Sequence, residues 1–261
     1  MDRRGRGAAL LAAAMILLAS ASLARATTLQ SGDLRITVLA QIAPFKLPRT
    51  GTAPISALVT GHVEEPHGGI PPQLQQMRIL VNRHALLQSR GLPTCPIGRI
   101  QPASTSRALS KCGDALIGSG RFWASIVLPE QGSYPTHGRL LVFNGRLHGA
   151  PAILAHIYTR DPFDSSFVVA FAITKVSKGP YGTELTASLP ESLGEWGYVD
   201  RIKLTLKREY LFKGRTLSYF NAGCPALPGT HLTSYPLAEA TLGFAEERIA
   251  ARVTKRCEVA E

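Results

Sequence analysis

Apolar and polar residues alternate with a period of two along much of this chain. Leu34, Ile36 and Val38 are interleaved with Arg35 and Thr37, and Met77, Ile79 and Val81 with Arg78 and Asn82. Thr183, Leu185, Ala187 and Leu189 alternate with Glu184, Thr186 and Ser188, and Ile202, Leu204 and Leu206 with Lys203, Thr205 and Lys207. Successive side chains of an extended strand point to opposite sides, so each segment is expected to form a half-buried strand with one dry face. Phe167 to Ile173 is apolar throughout, which suits a strand covered on both faces. Turn chemistry points to antiparallel neighbours. Asn144-Gly145, directly after Leu140-Leu141-Val142-Phe143, offers the positive φ angles of a type I′ hairpin, and Lys213-Gly214 and Pro180-Tyr181-Gly182 mark further reversals. A last hairpin is expected from Leu237 to Phe244, turning near Glu246-Glu247 and returning through Ile249, Ala251 and Val253 to Cys257. A single helix is expected. It would start at Pro102-Ala103-Ser104, run from Ser106 to Lys111 with Ala108 and Leu109 inside, and stop at Gly113 in the left-handed αL position. The fold class is therefore mainly β, either an antiparallel two-sheet sandwich or a strongly curved open sheet, with one short helix.

Residues 1–26 read as a secretory signal peptide: Arg3, Arg4 and Arg6 precede an apolar run from Ala8 to Leu18 and a small-residue site at Ala24-Arg25-Ala26. That run is shorter than the ~20 apolar residues needed to span hydrocarbon. No Cys follows it to carry a bacterial lipid anchor, and the residues after Arg3-Arg4 do not continue a twin-arginine pattern. The remaining chain is expected to fold in a secreted or extracytoplasmic setting, with no transmembrane segment after cleavage. Residues 27–53 read as an N-terminal strand and linker, because the stretch from Gln41 to Ala53 is broken by Pro44, Pro48 and Gly51. Residues 54–261 read as one disulfide-bridged β domain, interrupted at His67-Gly68-Gly69-Ile70-Pro71-Pro72.

Charge changes the picture little. Removing Asp2 and the four arginines of residues 1–26 lowers the formal charge from +11 to +8. The cations, among them Arg78, Arg83, Arg121, Arg139, Arg146, Arg201 and Arg252, are scattered without a run of like charge, which is the pattern of a solvated surface. Long-range attraction to an anionic envelope polymer or lipid headgroup suits such a charge, and no nucleic-acid motif accompanies it.

The four cysteines after the leader, Cys95, Cys112, Cys224 and Cys257, allow three pairings. Sequence proximity favours Cys95 with Cys112 and Cys224 with Cys257, each worth about 3 to 4 kcal/mol on the chain-entropy model. There is no C-x-x-C, so neither a zinc ribbon nor a thioredoxin-like pair is expected.

Candidate chemistry is thin. Leu47-Pro48-Arg49-Thr50-Gly51 matches a sortase signal but lies far from the C-terminus, and reads as a loop. His62, Glu64, Glu65 and His67 offer ligands that zinc accepts, yet a solvated strand end explains them equally well, and no metal or cofactor is expected. His156 sits in the apolar stretch Ala152 to Tyr158, on the face of Ala152 and Leu154, with Asp161, Asp164, Ser165 and Ser166 following. Acid-base or nucleophilic catalysis would need His156 oriented by one of those carboxylates, whereas alternation places it on a core or interface face. Gly118-Ser119-Gly120-Arg121-Phe122-Trp123 lacks the third glycine of a dinucleotide fingerprint, and no G-x-S-x-G or H-E-x-x-H occurs. Trp123, Trp196, Tyr198, Tyr210, Phe212, Tyr219 and Phe220 fall in strand-like stretches and are candidates for core or for a ligand surface.

Several segments resemble a group of uncharacterised secreted proteins of high-GC Gram-positive bacteria that share no assigned activity. They are Arg90-Gly91-Leu92-Pro93-Thr94-Cys95, the stretch from Cys112 to Gly120, Phe143-Asn144-Gly145-Arg146, the stretch from Pro151 to Tyr158, and Ala222-Gly223-Cys224-Pro225. The resemblance spans Ala53 to Cys257 and implies a cysteine-bridged secreted domain. The sequence favours a non-catalytic envelope or extracellular binding protein. A carrier of a lipid or other apolar ligand is the first alternative, and a secreted hydrolase of envelope glycans or esters, using His156 with Asp161 or Asp164, is the second.

Overall fold

The computed structural model describes residues 27–127, 130, 132–161, 163–177, 179–189, 197–245 and 247–260. The signal-peptide reading of residues 1–26, Trp196 and Glu246 of the last turn lie outside the described residues. The alternating segments are strands. In chain order they are β1 (Thr27–Ser31), β2 (Leu34–Ala43), β3 (Lys46–Pro48), β4 (Ala53–Pro54), β5 (Ser56–Glu64), β6 (Leu74–Asn82) and β7 (Ala85–Leu87). After the helix α1 (Thr105–Cys112) come β8 (Leu116–Val127), β9 (Ser133–Leu147), β10 (Ala150–Thr159), β11 (Ser165–Lys175) and β12 (Tyr181–Ser188). The chain finishes with β13 (Gly197–Leu206), β14 (Glu209–Phe212), β15 (Arg215–Ser218), β16 (Phe220–Ala222), β17 (Leu232–Phe244) and β18 (Arg248–Ala260).

Thirteen of these strands form one sheet in the order β1-β2-β5-β13-β8-β9-β10-β11-β12-β6-β17-β18-β3. Among the described strands of this sheet only β3 pairs parallel to its neighbour. Of the two architectures expected, the curved open sheet is the one found. Its curl brings the two edges together: Leu34 and Ile36 of β2 pack against Leu242 and Phe244 of β17 and Ile249 of β18. The face carrying these residues is therefore concave, and the ladder registers extend it to Val59 and Val63 of β5, Ile202 and Leu204 of β13, Ile157 of β10, and Ile79 and Val81 of β6. Glycines permit the bend. A β-carbon on Gly120 of β8 or Gly138 of β9 would run into the backbone oxygen of Lys203 or Tyr158 on the adjacent strand.

Three long connections gather at one end of the rolled sheet and close it. They contribute the small sheet β4-β16-β7 and the buried residues Leu47, Tyr219, Phe220, Ala222 and Cys224, packed with Val142, Leu185, Leu237 and Val259 from the wall. The Cys224–Cys257 disulfide ties this plug to β18, and Cys95–Cys112 ties the loop before α1 to the end of that helix. Helix α1 covers the convex side of β9, β10 and β11, where Ala108, Cys112 and Ile100 meet Phe143, Leu154 and Val168. No helix among the described residues is long and apolar enough to cross a membrane.

Three local expectations are corrected. The β9–β10 hairpin exists, but it turns at His148-Gly149, whose φ angles are 50° and 81°, while Asn144 and Gly145 stay within the strand. The Asn144 amide is buried and donates to the carbonyls of Leu92 and Pro93, and its own carbonyl accepts from the Cys95 amide, so tertiary bonds hold extended a pair that would otherwise turn. Ser104 caps α1 as expected by accepting from the Arg107 amide, but Gly113 has φ −55° and leads into a 3₁₀ turn rather than adopting αL. The stretch from Gln41 to Ala53, expected as a linker or loop, completes β2, supplies β3, and buries Leu47 in the main core. Arg49 there donates to the carbonyls of Ala226, Leu227 and Thr230, so polar residues that suggested a loop anchor the plug. The turn at Lys213-Gly214 and the last hairpin form as expected.

Gly138→Ala is expected to lower the unfolding free energy in urea by about 1–3 kcal/mol, since the new methyl meets a backbone carbonyl that cannot move aside without breaking the ladder. The Cys224→Ala/Cys257→Ala pair, which opens a loop of sequence separation 33, is expected to cost about 4 kcal/mol in the same measurement.

Candidate functional site

The end of the rolled sheet opposite the plug carries short connections, including the β1–β2 turn, the β5–β6 loop and the β17–β18 turn. Beneath them lies the concave face, whose side chains are apolar and often small: Ala57 and Gly61 on β5, Ala155 on β10, Ala187 on β12, Ala238 and Ala240 on β17. Many of these positions are half-buried rather than buried, including Val38, Val59, Val63, Ile157, Phe167, Ile202 and Leu204. In a close-packed interior such residues lose all their accessible surface. Here the inward face of the wall keeps part of it, although Leu204 packs against the plug core and Val38 and Val63 against the seam cluster.

Two clefts, one polar and one of mixed lining, flank the β17–β18 turn at this mouth. One, of about 350 Å³, is lined by Gln75, Gln76, Gly243, Phe244, Ala245, Glu247 and Arg248. The other, of about 580 Å³, is lined by Gly32, Asp33, Leu34, Glu65, His67, Gly69, Ile70, Pro72 and Glu247. Within it the ligand atoms of Asp33, Glu65 and His67 lie within 4.8 Å of one another, a set able to hold a cation. The grouping differs from the one the sequence offered. His62 and Glu64 are set apart, Glu64 accepting from Arg35 at 3.1 Å, and Asp33 from the β1–β2 turn takes their place, with His67 Nε2 at 3.8 Å from its carboxylate. Glu65 is already committed to its own loop, since its carboxylate accepts from the amides of His67 and Gly69.

His156 is fully buried between β10 and the segment leading into α1. Its Nε2 lies 2.9 Å from the Ala103 carbonyl and 3.3 Å from Ser166 Oγ, while Nδ1 is buried with no hydrogen-bond partner. Burial lowers its pKa below the ordinary imidazole value, against a smaller opposing effect of the bond to Ala103, so the ring is held neutral. Neither aspartate joins it. Asp164 accepts from the Tyr158 hydroxyl at 2.9 Å, and Asp161 contributes its backbone carbonyl to the buried hydroxyls of Thr136 and Thr159. The structure brings together Ser166, His156 and Ala103, and leaves both carboxylates elsewhere.

Other buried polar groups serve the fold. Tyr235, its pKa pushed up to about 12 by burial, donates to the Gly223 carbonyl beside the Cys224–Cys257 bridge. Burial likewise raises Tyr219, which stacks edge to face on Phe220 in the plug with ring centroids 4.9 Å apart. The aromatics proposed for a ligand surface separate accordingly. Tyr210 donates to the Gln88 and Arg90 carbonyls and Phe212 packs against Gly91, whereas Trp123 lies on the convex wall beneath the Arg201 guanidinium. Asp33, missed from sequence as a ligand, is a lone acid in a short turn, and Glu247 reads from sequence only as part of the last turn. No protein-family model, curated protein or solved structure matches the chain.

The neutral state of His156 sets an acid limit. An imidazole whose folded pKa is depressed binds fewer protons folded than unfolded, so its contribution to stability is present above the unfolded value of about 6.5 and is lost as pH falls toward the folded one. Urea unfolding is expected to show the wild type losing up to about 1.4 kcal/mol per pH unit below pH 6.5 from this group, and His156→Gln showing a flatter profile.

Proposed function

We propose that the protein is a secreted, non-catalytic binding protein of the envelope or extracellular space, and that its ligand is apolar and lies on the concave face of the rolled sheet. The observation that carries this reading is the half-buried apolar lining behind a mouth of short loops, at the end away from the plug. Barrels that hold small ligands use the same arrangement of an inward apolar face and a closed far end. Two disulfides suit an oxidising compartment, in line with secretion and with the resemblance to secreted bacterial proteins. The hydrolase alternative gains no support, because His156 is enclosed and neither Asp161 nor Asp164 shares a cleft with it.

Burial of a methylene is worth about 0.8 kcal/mol, so an extended chain on this face gains affinity in proportion to its length. Protein purified from its own secreting host is expected to release a co-purifying lipid in mass spectrometry. Titration with saturated fatty acids of increasing length is expected to show roughly fourfold tighter binding per added methylene until the face is covered. Ala155→Phe, which fills part of the lining, is expected to weaken binding at least tenfold with the circular dichroism spectrum unchanged. A bare protein that ignores chain length would leave the convex surface as the binding face.

A further inference from the structure

The convex wall treats its cations in two ways. On one half they are neutralised across strands: Arg78 of β6 is bonded to Glu184 of β12 at 2.6 Å, and Arg252 of β18 to Glu239 of β17 at 2.9 Å. Arg35 of β2 is likewise paired with Glu64 of β5 at 3.1 Å, but the next three strands, β13, β8 and β9, do the opposite. Lys203 of β13 stands directly across from Arg121 of β8, and Arg121 directly across from Arg139 of β9. All three are exposed, and none has an acidic partner among the described residues. Neighbouring strands lie about 4.8 Å apart, so three like-charged side chains are rooted in a row at that spacing, an arrangement that destabilises a sheet. The row continues into the neutral Thr60 of β5 on one side and Tyr158 of β10 on the other. Flanking it are Arg201, held over the Trp123 ring at 5.8 Å, and His137, which is paired with Trp123 across β8 and β9. Asp200 of β13 accepts from Ser125 and lies in the field of Arg201 and His62, and Asp164 accepts from Tyr158, the residue across from Arg139.

We infer that this row, Lys203-Arg121-Arg139, is a binding site for a linear polyanion that crosses β13, β8 and β9 roughly perpendicular to the strands. A row at this spacing lies well inside the Debye length of about 8 Å at physiological salt, so the three charges act on a passing chain together. Curvature favours a flexible chain over a membrane, because a convex wall meets a flat bilayer along one strand while a polymer can follow the row around it. Trp123 has its ring covered by Arg201, so recognition rests on charge and not on stacking.

The test uses the disulfide-bonded chain without residues 1–26 and inorganic polyphosphate as the probe. Arg121→Gln/Arg139→Gln/Lys203→Gln is expected to raise Kd at least tenfold and to flatten the slope of log K against log salt by about three. Its melting temperature should equal or exceed that of the wild type, since cross-strand repulsion is relieved, which a merely structural role would not produce. Lys175→Gln/Arg215→Gln/Arg256→Gln, which removes the same charge from other exposed positions, should change Kd less than twofold. Equal losses in the two triple variants would overturn the site in favour of net charge alone. So would absence of polyphosphate binding, or binding to phosphatidylglycerol vesicles without binding to the polymer. The concave face is untouched by these variants, so the fatty-acid titration stands or falls separately.

Discussion

The rolled sheet depends on a seam that no ladder closes among the described residues. β1 and β2 lie along one edge and β18 along the other, and the two edges meet through side chains toward the mouth: Leu34 and Ile36 against Leu242, Phe244 and Ile249, with Glu247 against Gly32 beyond them. At the plugged end Lys255 of β18 is buried and donates to the carbonyls of Ile42 and Pro44, at the end of β2. Burial lowers its pKa, so the seam holds a costly cation whose charge is met by two backbone carbonyls. The chain itself then crosses the gap, since β2 lies on one edge and β3, beginning at Lys46, pairs with the other. Edges left open would invite pairing with another chain, and the seam removes that hazard from both at once.

From this closure follow the two environments of the wall. The concave side is apolar because every strand contributes one parity of its alternation to it, and the plug seals it at the end where the long connections collect. The convex side collects the other parity, which is largely polar apart from the patch that α1 covers on β9, β10 and β11 and single apolar residues such as Leu80 and Trp123. His156 belongs to that covered patch, which explains why a histidine among apolar residues is buried against a backbone carbonyl instead of facing a cleft. An apolar ligand and a polyanion would thus occupy opposite sides of one wall and need not compete.

Reading the residues in order recovered the strands, the helix and its serine cap, the last hairpin and the pairing of the cysteines, because each is governed by neighbours within one element or by a short closed loop. It misplaced what distant bonds decide. Asn144-Gly145 has every local reason to turn, and remains extended because Leu92, Pro93 and Cys95 take its hydrogen bonds. Arg49 and the prolines around it look like loop chemistry, and become part of the plug because carbonyls at residues 226, 227 and 230 arrive from the far side of the chain.

The sequence by itself determined that the protein is built of half-buried antiparallel strands with one short helix, because alternation is a local property of the backbone. Which way those strands curl, and which cations face one another, was decided only in three dimensions. Arg121, Arg139 and Lys203 are scattered along the chain and read as ordinary solvated charges. Ladder register sets them side by side on β8, β9 and β13, while a different register gives Arg78 and Arg252 their carboxylates. Register is fixed by the hydrophobic face that each strand must bury, and that face exists only once the sheet has closed on itself.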